Sequence, residues 1–165
     1  MSSPNDSSNR HIYCIDTSAL LQAWRRDYPP DVFGNVWSKL SDLATSEVLI
    51  APEEVLLELQ RREDEVYRWA KAHDSMFLPP EPAVEDQVNT IVNRWPNFLP
   101  EDSQDGVWAD PYVIALAAAR QAVVVTAEIL ASANARRPKI PNICDSLSIP
   151  WTQLLGLLRS QGCKF

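Results

Sequence analysis

Glycine is scarce in this sequence, with 4 residues in 165, as is histidine, with 2, and no GxGxxG or GxxxxGK loop occurs. That absence removes dinucleotide-binding and P-loop enzymes, whose tight phosphate loops need glycine. The 3 cysteines, Cys14, Cys144 and Cys163, are widely separated and have no CxxC spacing. An odd, scattered set excludes a disulfide framework and a zinc ribbon, so the thiols read as reduced core or surface groups. No long apolar run is present: the longest is broken by Arg120 and Gln121, too soon to span a bilayer, and no membrane association is expected. The opening "MSSPNDSSNR" lacks the basic start and apolar centre of a signal peptide. A cytoplasmic protein is therefore expected, with residues 1–10 a flexible tail. Basic residues are also in deficit, 15 against 22 acids for a net charge of -7. A broad basic surface for nucleic acid is excluded, but cutting nucleic acid with clustered acids is not.

What is present is an alternation of strands and helices. The length suits one domain, placed over residues 11–165, able to bury about 70% of its unfolded surface. "HIYCID" reads as a buried strand, and Thr17 and Ser18 as N-cap residues of a helix running through Ala23 and Trp24. After "YPPDV", Asp31 is expected to cap a second helix with Val32, Phe33, Val36, Trp37, Leu40 and Leu43 on its apolar face. The strand "EVLIA" follows, then a helix from Pro52 through "EEVLLELQRR", continued or restarted in "EDEVYRWAKAH" and ended by "LPPEP". Val84, Val88, Ile91, Val92 and Trp95 mark another helix. The polar loop "EDSQDG" leads to the helix "WADPYVIALAAARQ", and the valines of "AVVVT" form a strand covered on both faces. "IPNICDSL" reads as a short strand or turn with a half-helix, before "IPW" and a last helix, "TQLLGLLRS". The expected class is α/β, a mainly parallel sheet between helical layers.

In such a sheet the strands' carboxyl ends and the starts of the following helices share one edge, where ligands bind. Asp16 ends the first strand there, and Glu128 follows the "AVVVT" strand. Asp110 begins a helix whose right-handed crossover returns it to the same edge. The helix after the second strand offers a fourth acid. Glu58 lies nearer its apolar side, while Glu54 is one turn closer to the edge and stays in reserve. Two carboxylates ~5 Å apart repel by roughly 3 kcal/mol at an effective dielectric of 20, so a cluster of four requires a cation. Oxygen donors without histidine suit Mg²⁺ or Mn²⁺. Taken singly, each acid is equally well explained as a cap or turn former.

"YCIDTSALL", "IAPEEVLLELQ", "ADPYVIALAAA" and "VVVTAE" together resemble the four acidic motifs of PIN-domain ribonucleases, and "ICDSLSIPWTQLLGLLR" resembles the end of a PIN-like subfamily of uncharacterised bacterial proteins. The resemblance implies a three-layer α/β/α sandwich that binds one or two Mg²⁺ or Mn²⁺ ions and cleaves RNA. By position it implies Asp16, Glu58, Asp110 and Glu128 as catalytic and metal-binding acids, with Thr17, Ser18 and Thr126 in support. It further implies a toxin held by an antitoxin protein, and homodimerisation. Glu128 stands where the wider family often has Asp, and "RQAVVV" lacks a glycine common in that turn.

Arg136, Arg137 and Lys139 follow the "AVVVT" strand and read equally well as phosphate contacts or as a solvated loop. The arginine pairs at 25–26 and 61–62 read as surface. The tryptophans sit at helical spacing and read as core, Trp108 being the candidate for base stacking. A phosphohydrolase with Asp16 as nucleophile would want a second Asp where Ser18 stands. The remaining alternative is a PIN-like scaffold without catalysis that serves as a binding module.

Overall fold

The computed structural model describes residues 10–100 and 108–165; most of the expected tail and the expected "EDSQDG" loop lie outside the described residues. Five strands form one sheet in the order β3-β2-β1-β4-β5. They are β1 (Tyr13–Ile15), β2 (Leu49–Pro52), β3 (Phe77–Leu78), β4 (Val123–Val125) and β5 (Trp151–Thr152). Every pairing is parallel. Between the strands run α1 (Thr17–Gln22), α2 (Gly34–Thr45), α3 (Glu53–Gln60), α4 (Glu65–Ala72), α5 (Pro82–Arg94), α6 (Ala109–Arg120) and α7 (Ile140–Ser146), and α8 (Leu154–Ser160) follows the last strand. Helices therefore cover the parallel sheet, the α/β/α arrangement expected.

The strands are short because they need only cross a narrow core. Cys14, Ile15, Val124 and Val125 are each 0% exposed, as suits strands covered on both faces. The chain winds outward from β1 through β2 to β3, then returns to place β4 on the other side of β1. The strand order reverses between β1 and β4, and a crevice opens beyond the carboxyl ends at such a point. Ile15 pairs with Val125, so Asp16 and Thr126 leave the sheet side by side, and the Asp16 N–H donates to the Val125 carbonyl at 2.9 Å.

Several elements differ from expectation. Asp31 does not cap α2. Val32 and Phe33 N–H groups donate to the Pro29 carbonyl, so the Pro29-Pro30 break extends through a turn and the helix starts at Gly34. Val32 is 69% exposed, and the buried stripe runs from Val36 and Trp37 to Leu40, Leu43 and Ala44. The first helix changes winding at Ala23: residues Ala23–Asp27 form a π turn, closed by the Tyr28 N–H on the Ala23 carbonyl. Asp64 caps α4, which is thus a restart. "IPNICDS" is wholly helical, started by Pro141 near its N-terminus. The strand β3 has two residues at the sheet edge, too few for an alternation to register.

The buried apolar side chains form one cluster; Trp37 within it packs edge-to-face against the half-buried Trp24 and Trp69, centroids 4.6 and 5.1 Å apart, and Trp69 meets the tilted ring of His73 at 4.6 Å. Burial pushes the Cys14 and Cys144 thiols far up, the latter to about 12, so both are inert. The helix α6 ends on Gln121 at φ 52°, the left-handed conformation that glycine adopts without a Cβ penalty. Gln121→Gly is expected to raise stability by about 1 kcal/mol. A urea midpoint that rises at constant slope is the check; an unchanged or lower midpoint would contradict it.

Candidate functional site

Asp16 is 1% exposed and is itself the N-cap of α1, accepting the Ala19 N–H at 2.7 Å. Thr17 and Ser18, expected as caps, are helical residues whose hydroxyls serve carboxylates instead. Ser18 Oγ donates to Asp16 at 2.8 Å, and Thr17 Oγ1 donates to Glu58 Oε2 at 2.6 Å. Thr126, fully buried, donates to Asp16 Oδ2 at 2.6 Å and accepts the Glu128 N–H at 3.1 Å. The Ala127 N–H donates to Ser18 Oγ at 3.2 Å. Both hydroxyls thereby fasten the turn after β4 to the carboxylate after β1.

Two further acids accept the first N–H of a helix whose N-cap side chain makes no capping bond. Trp108, the N-cap residue of α6, makes no capping bond, and Glu58 Oε1 accepts the Ala109 N–H at 2.9 Å in its place. Lys139 stands at the same position of α7, and Glu128 Oε2 accepts the Ile140 N–H at 2.9 Å. Asp110 occupies the first turn of α6. The starts of α1, α6 and α7 therefore each carry a carboxylate, and the positive ends of those helices offset part of its charge.

Offset is incomplete. Burial, then the charges of Asp16, Glu128 and Glu58, push Asp110 up to about 8, against a downward pull from Arg137. Burial also raises Asp16 to about 7, opposed by the hydrogen bonds from Thr126, Ala19 and Ser18 and assisted by Glu128. The four acids thus bear on one another. Glu54 belongs elsewhere: burial raises its carboxyl, followed by Glu53 and Glu85, and its Oε2 is buried without a hydrogen-bond partner among the described residues.

The basic loop divides. Arg137 is tied down, its Nε and Nη2 donating to the carbonyls of Asn97 and Phe98 at 3.2 and 3.1 Å. Arg136 and Lys139 are exposed. Asn142, unnoticed in the sequence, shapes this loop: its Oδ1 accepts the N–H groups of Ala131 and Lys139, and its Nδ2 donates to the Ala131 carbonyl. An asparagine one turn into a proline-started helix was the available signal. Trp108 is half-buried, with Nε1 lacking a partner among the described residues.

A family model described as a domain of unknown function, DUF4411, matches residues 13–165. The chain belongs to this family. The DUF4411 match takes in all four edge acids and both hydroxyls that hold Asp16. No curated protein matches the chain. Among solved structures, VapBC2 from Rickettsia felis, bound to a DNA fragment from its promoter, is similar at 15% identity and a TM-score of 0.46, covering 86% of this chain and 98% of that one. Among the described residues no helix is long and apolar enough to cross a membrane.

The raised carboxyls give a pH dependence of definite sign. Burial and neighbouring charge push the folded-state carboxyls of Asp16 and Asp110 up to about 7 and about 8, whereas an ordinary aspartate lies at 3.8. Stability from these groups is full below the unfolded value and is lost as pH rises through the folded ones. In EDTA, the melting temperature is expected to fall from about pH 5 to about pH 8. Asp110→Asn should shrink that fall and melt above wild type at the alkaline end. Parallel curves for the two proteins would contradict it.

Proposed function

We propose that this edge is a metal-dependent endoribonuclease centre hydrolysing phosphodiester bonds of single-stranded or structured RNA. In this reading the chain is a cytoplasmic toxin of a bacterial toxin–antitoxin pair, with a cognate antitoxin as partner and a homodimer as its assembly. One observation carries the centre: Asp16, Glu58, Asp110 and Glu128 come from four separate segments, and their charges act together on Asp110, with Arg137 opposing. The PIN resemblance of the same four segments supplies the RNA substrate, the antitoxin and the dimer.

An all-oxygen donor set suits Mg²⁺ or Mn²⁺. Among the described residues no three acids form a ready ligand cluster. Mg²⁺ does not require one, since it keeps several waters and is held through one or two carboxylates. The residues that would hold it are drawn from Asp16, Glu58 and Asp110, with Glu128 tuning it. When bound, the cation lowers the pKa of a water and neutralises charge on phosphodiester oxygens. The chain's own residues do the positioning. Thr126, Ser18 and the Ala19 N–H orient Asp16; Thr17 and the Ala109 N–H orient Glu58; the Ile140 N–H orients Glu128. Arg136 and Lys139 would take the RNA backbone, while Arg137 braces the segment before α6.

A second reading is favoured by the capping duties just described: the acids would be structural, and the domain a binding module. Calorimetric titration with Mn²⁺ separates the two, because the module predicts no binding heat that Asp110→Asn removes. For the nuclease, purified protein with Mn²⁺ is expected to cleave total RNA at mappable ends, and Asp16→Asn or Asp110→Asn to slow cleavage about 100-fold or more. Equal rates would end the assignment.

The basic loop has its own test. Replacing Arg136 and Lys139 by Gln should lower the slope of log affinity for single-stranded RNA against log salt by about 0.7 per charge removed. An unchanged slope would place both residues outside the RNA path.

A further inference from the structure

A cleft of about 490 Å³ lies between α1 with its π turn and the start of α8, and Thr126 and Ala127 form one of its walls. Thr126 is the residue whose hydroxyl donates to Asp16 at 2.6 Å. The cleft and the acidic edge therefore share a wall, and an occupant of one adjoins an occupant of the other. The volume falls within the range of ordinary ligand sites.

The lining is of two kinds. Ala19 and Ala23, with Leu154 and Leu155, offer small or apolar surface, and Leu155 is left 45% exposed. Around them stand Gln22, Arg26, Asp27, Tyr28 and Gln153. Both Asp27 oxygens are engaged, Oδ2 by Gln22 Nε2 and Oδ1 by Arg26 Nε, each at 2.9 Å. That leaves the Gln22 carbonyl and the terminal nitrogens of Arg26, a side chain 72% exposed, uncommitted among the described residues. Gln153, the N-cap residue of α8, makes no capping bond, so its amide is equally uncommitted. Tyr28 is anchored through its carbonyl, which accepts Trp37 Nε1–H at 2.7 Å.

A cleft lined by apolar side chains and two carboxamides, with an aromatic residue and an exposed guanidinium, matches an unpaired nucleobase with its phosphate. Bases of single-stranded RNA are held by stacking on aromatic or guanidinium planes and read by hydrogen bonds to their edges. A carboxamide presents one donor and one acceptor group together, the pair that edge reading uses. We propose that this cleft binds the unpaired nucleotide next to the scissile phosphodiester and sets base preference, Gln153 and Gln22 reading the base edge and Arg26 the adjoining phosphate. The proposal deepens the ribonuclease reading and rests on it for the position of the scissile bond.

The test uses the full chain and two readouts: cleavage ends mapped in a pool of randomised single-stranded RNA with Mn²⁺, and binding of short oligonucleotides of each base in EDTA. Gln22 and Gln153 lie outside the acidic centre, so Gln153→Ala and Gln22→Ala are read by base preference among the mapped cuts, not by total cleavage. Wild type is expected to prefer one base at a fixed position beside the cut, and Gln153→Ala to relax that preference about tenfold. Cleavage without base preference, or a preference that both variants retain, overturns the cleft assignment and leaves the nuclease standing. Base-selective binding lost in Gln153→Ala, without any cleavage, overturns the nuclease and retains the cleft as a base site. Neither cleavage nor base-selective binding overturns both.

Discussion

Mutual repulsion among carboxylates is the constraint around which the carboxyl edge is built. Two such charges ~5 Å apart at an effective dielectric of 20 oppose folding by roughly 3 kcal/mol, a large share of the net stability of a domain. The chain meets this by giving the acids donors. Asp16, Glu58 and Glu128 each accept an N–H at a helix start, and hydroxyls from Thr17, Ser18 and Thr126 supply the rest. Asp110 receives none of the side-chain bonds described, and burial, then the charges of Asp16, Glu128 and Glu58, raise its carboxyl to about 8. Asp16 is raised too, to about 7, despite its donors.

That arrangement depends on the sheet order. Because β4 lies against β1 in register, the turn after β4 begins one residue from Asp16's own exit from the sheet. Thr126 can then be at once the donor to Asp16 and the acceptor for the Glu128 backbone. Moving β4 one strand away would strand Asp16 without its shortest hydrogen bond, since no other element brings a hydroxyl there from the far half of the chain. Topology and electrostatics are one problem here.

How much of this could be read from the sequence follows from the range over which each signal acts. The valine run, the Pro-started helices and the acids at strand ends or helix starts are local, and each left a legible mark around Asp16, Asp110 and Glu128. The exchange of roles between Asp16 and its neighbours was not legible. Asp, Thr and Ser are all good caps, and Thr17 was diverted by Glu58, 41 residues away. Asp31 misled for a related reason: the Pro29 carbonyl took the N–H groups that a cap would have ordered. The edge strand β3 and the π turn at Ala23 have no periodicity to detect, being set by packing. Glu58 and Glu54 could be ranked by helical phase, but only tertiary contacts separate their surroundings, Thr17 and Ala109 for one and Glu85 for the other.

The acidic composition also takes on a specific meaning. For the RNA substrate proposed above, a protein of net charge -7 is repulsive overall, so on that proposal approach would be local, through a cation at the edge and a few basic side chains beside it. The exposed Arg136 and Lys139 lie beyond Glu128 on the β4 side, and Arg26 lies on the α1 side. Arg137, between them in charge but not in freedom, is held to the carbonyls before α6. On that proposal the RNA would run from the loop after β4 toward the cleft that Arg26 lines together with Thr126, the residue whose hydroxyl donates to Asp16. If that proposal holds, the scarcity of basic residues is a means of alignment: with few cations to choose from, a phosphate backbone would have few registers across the acids.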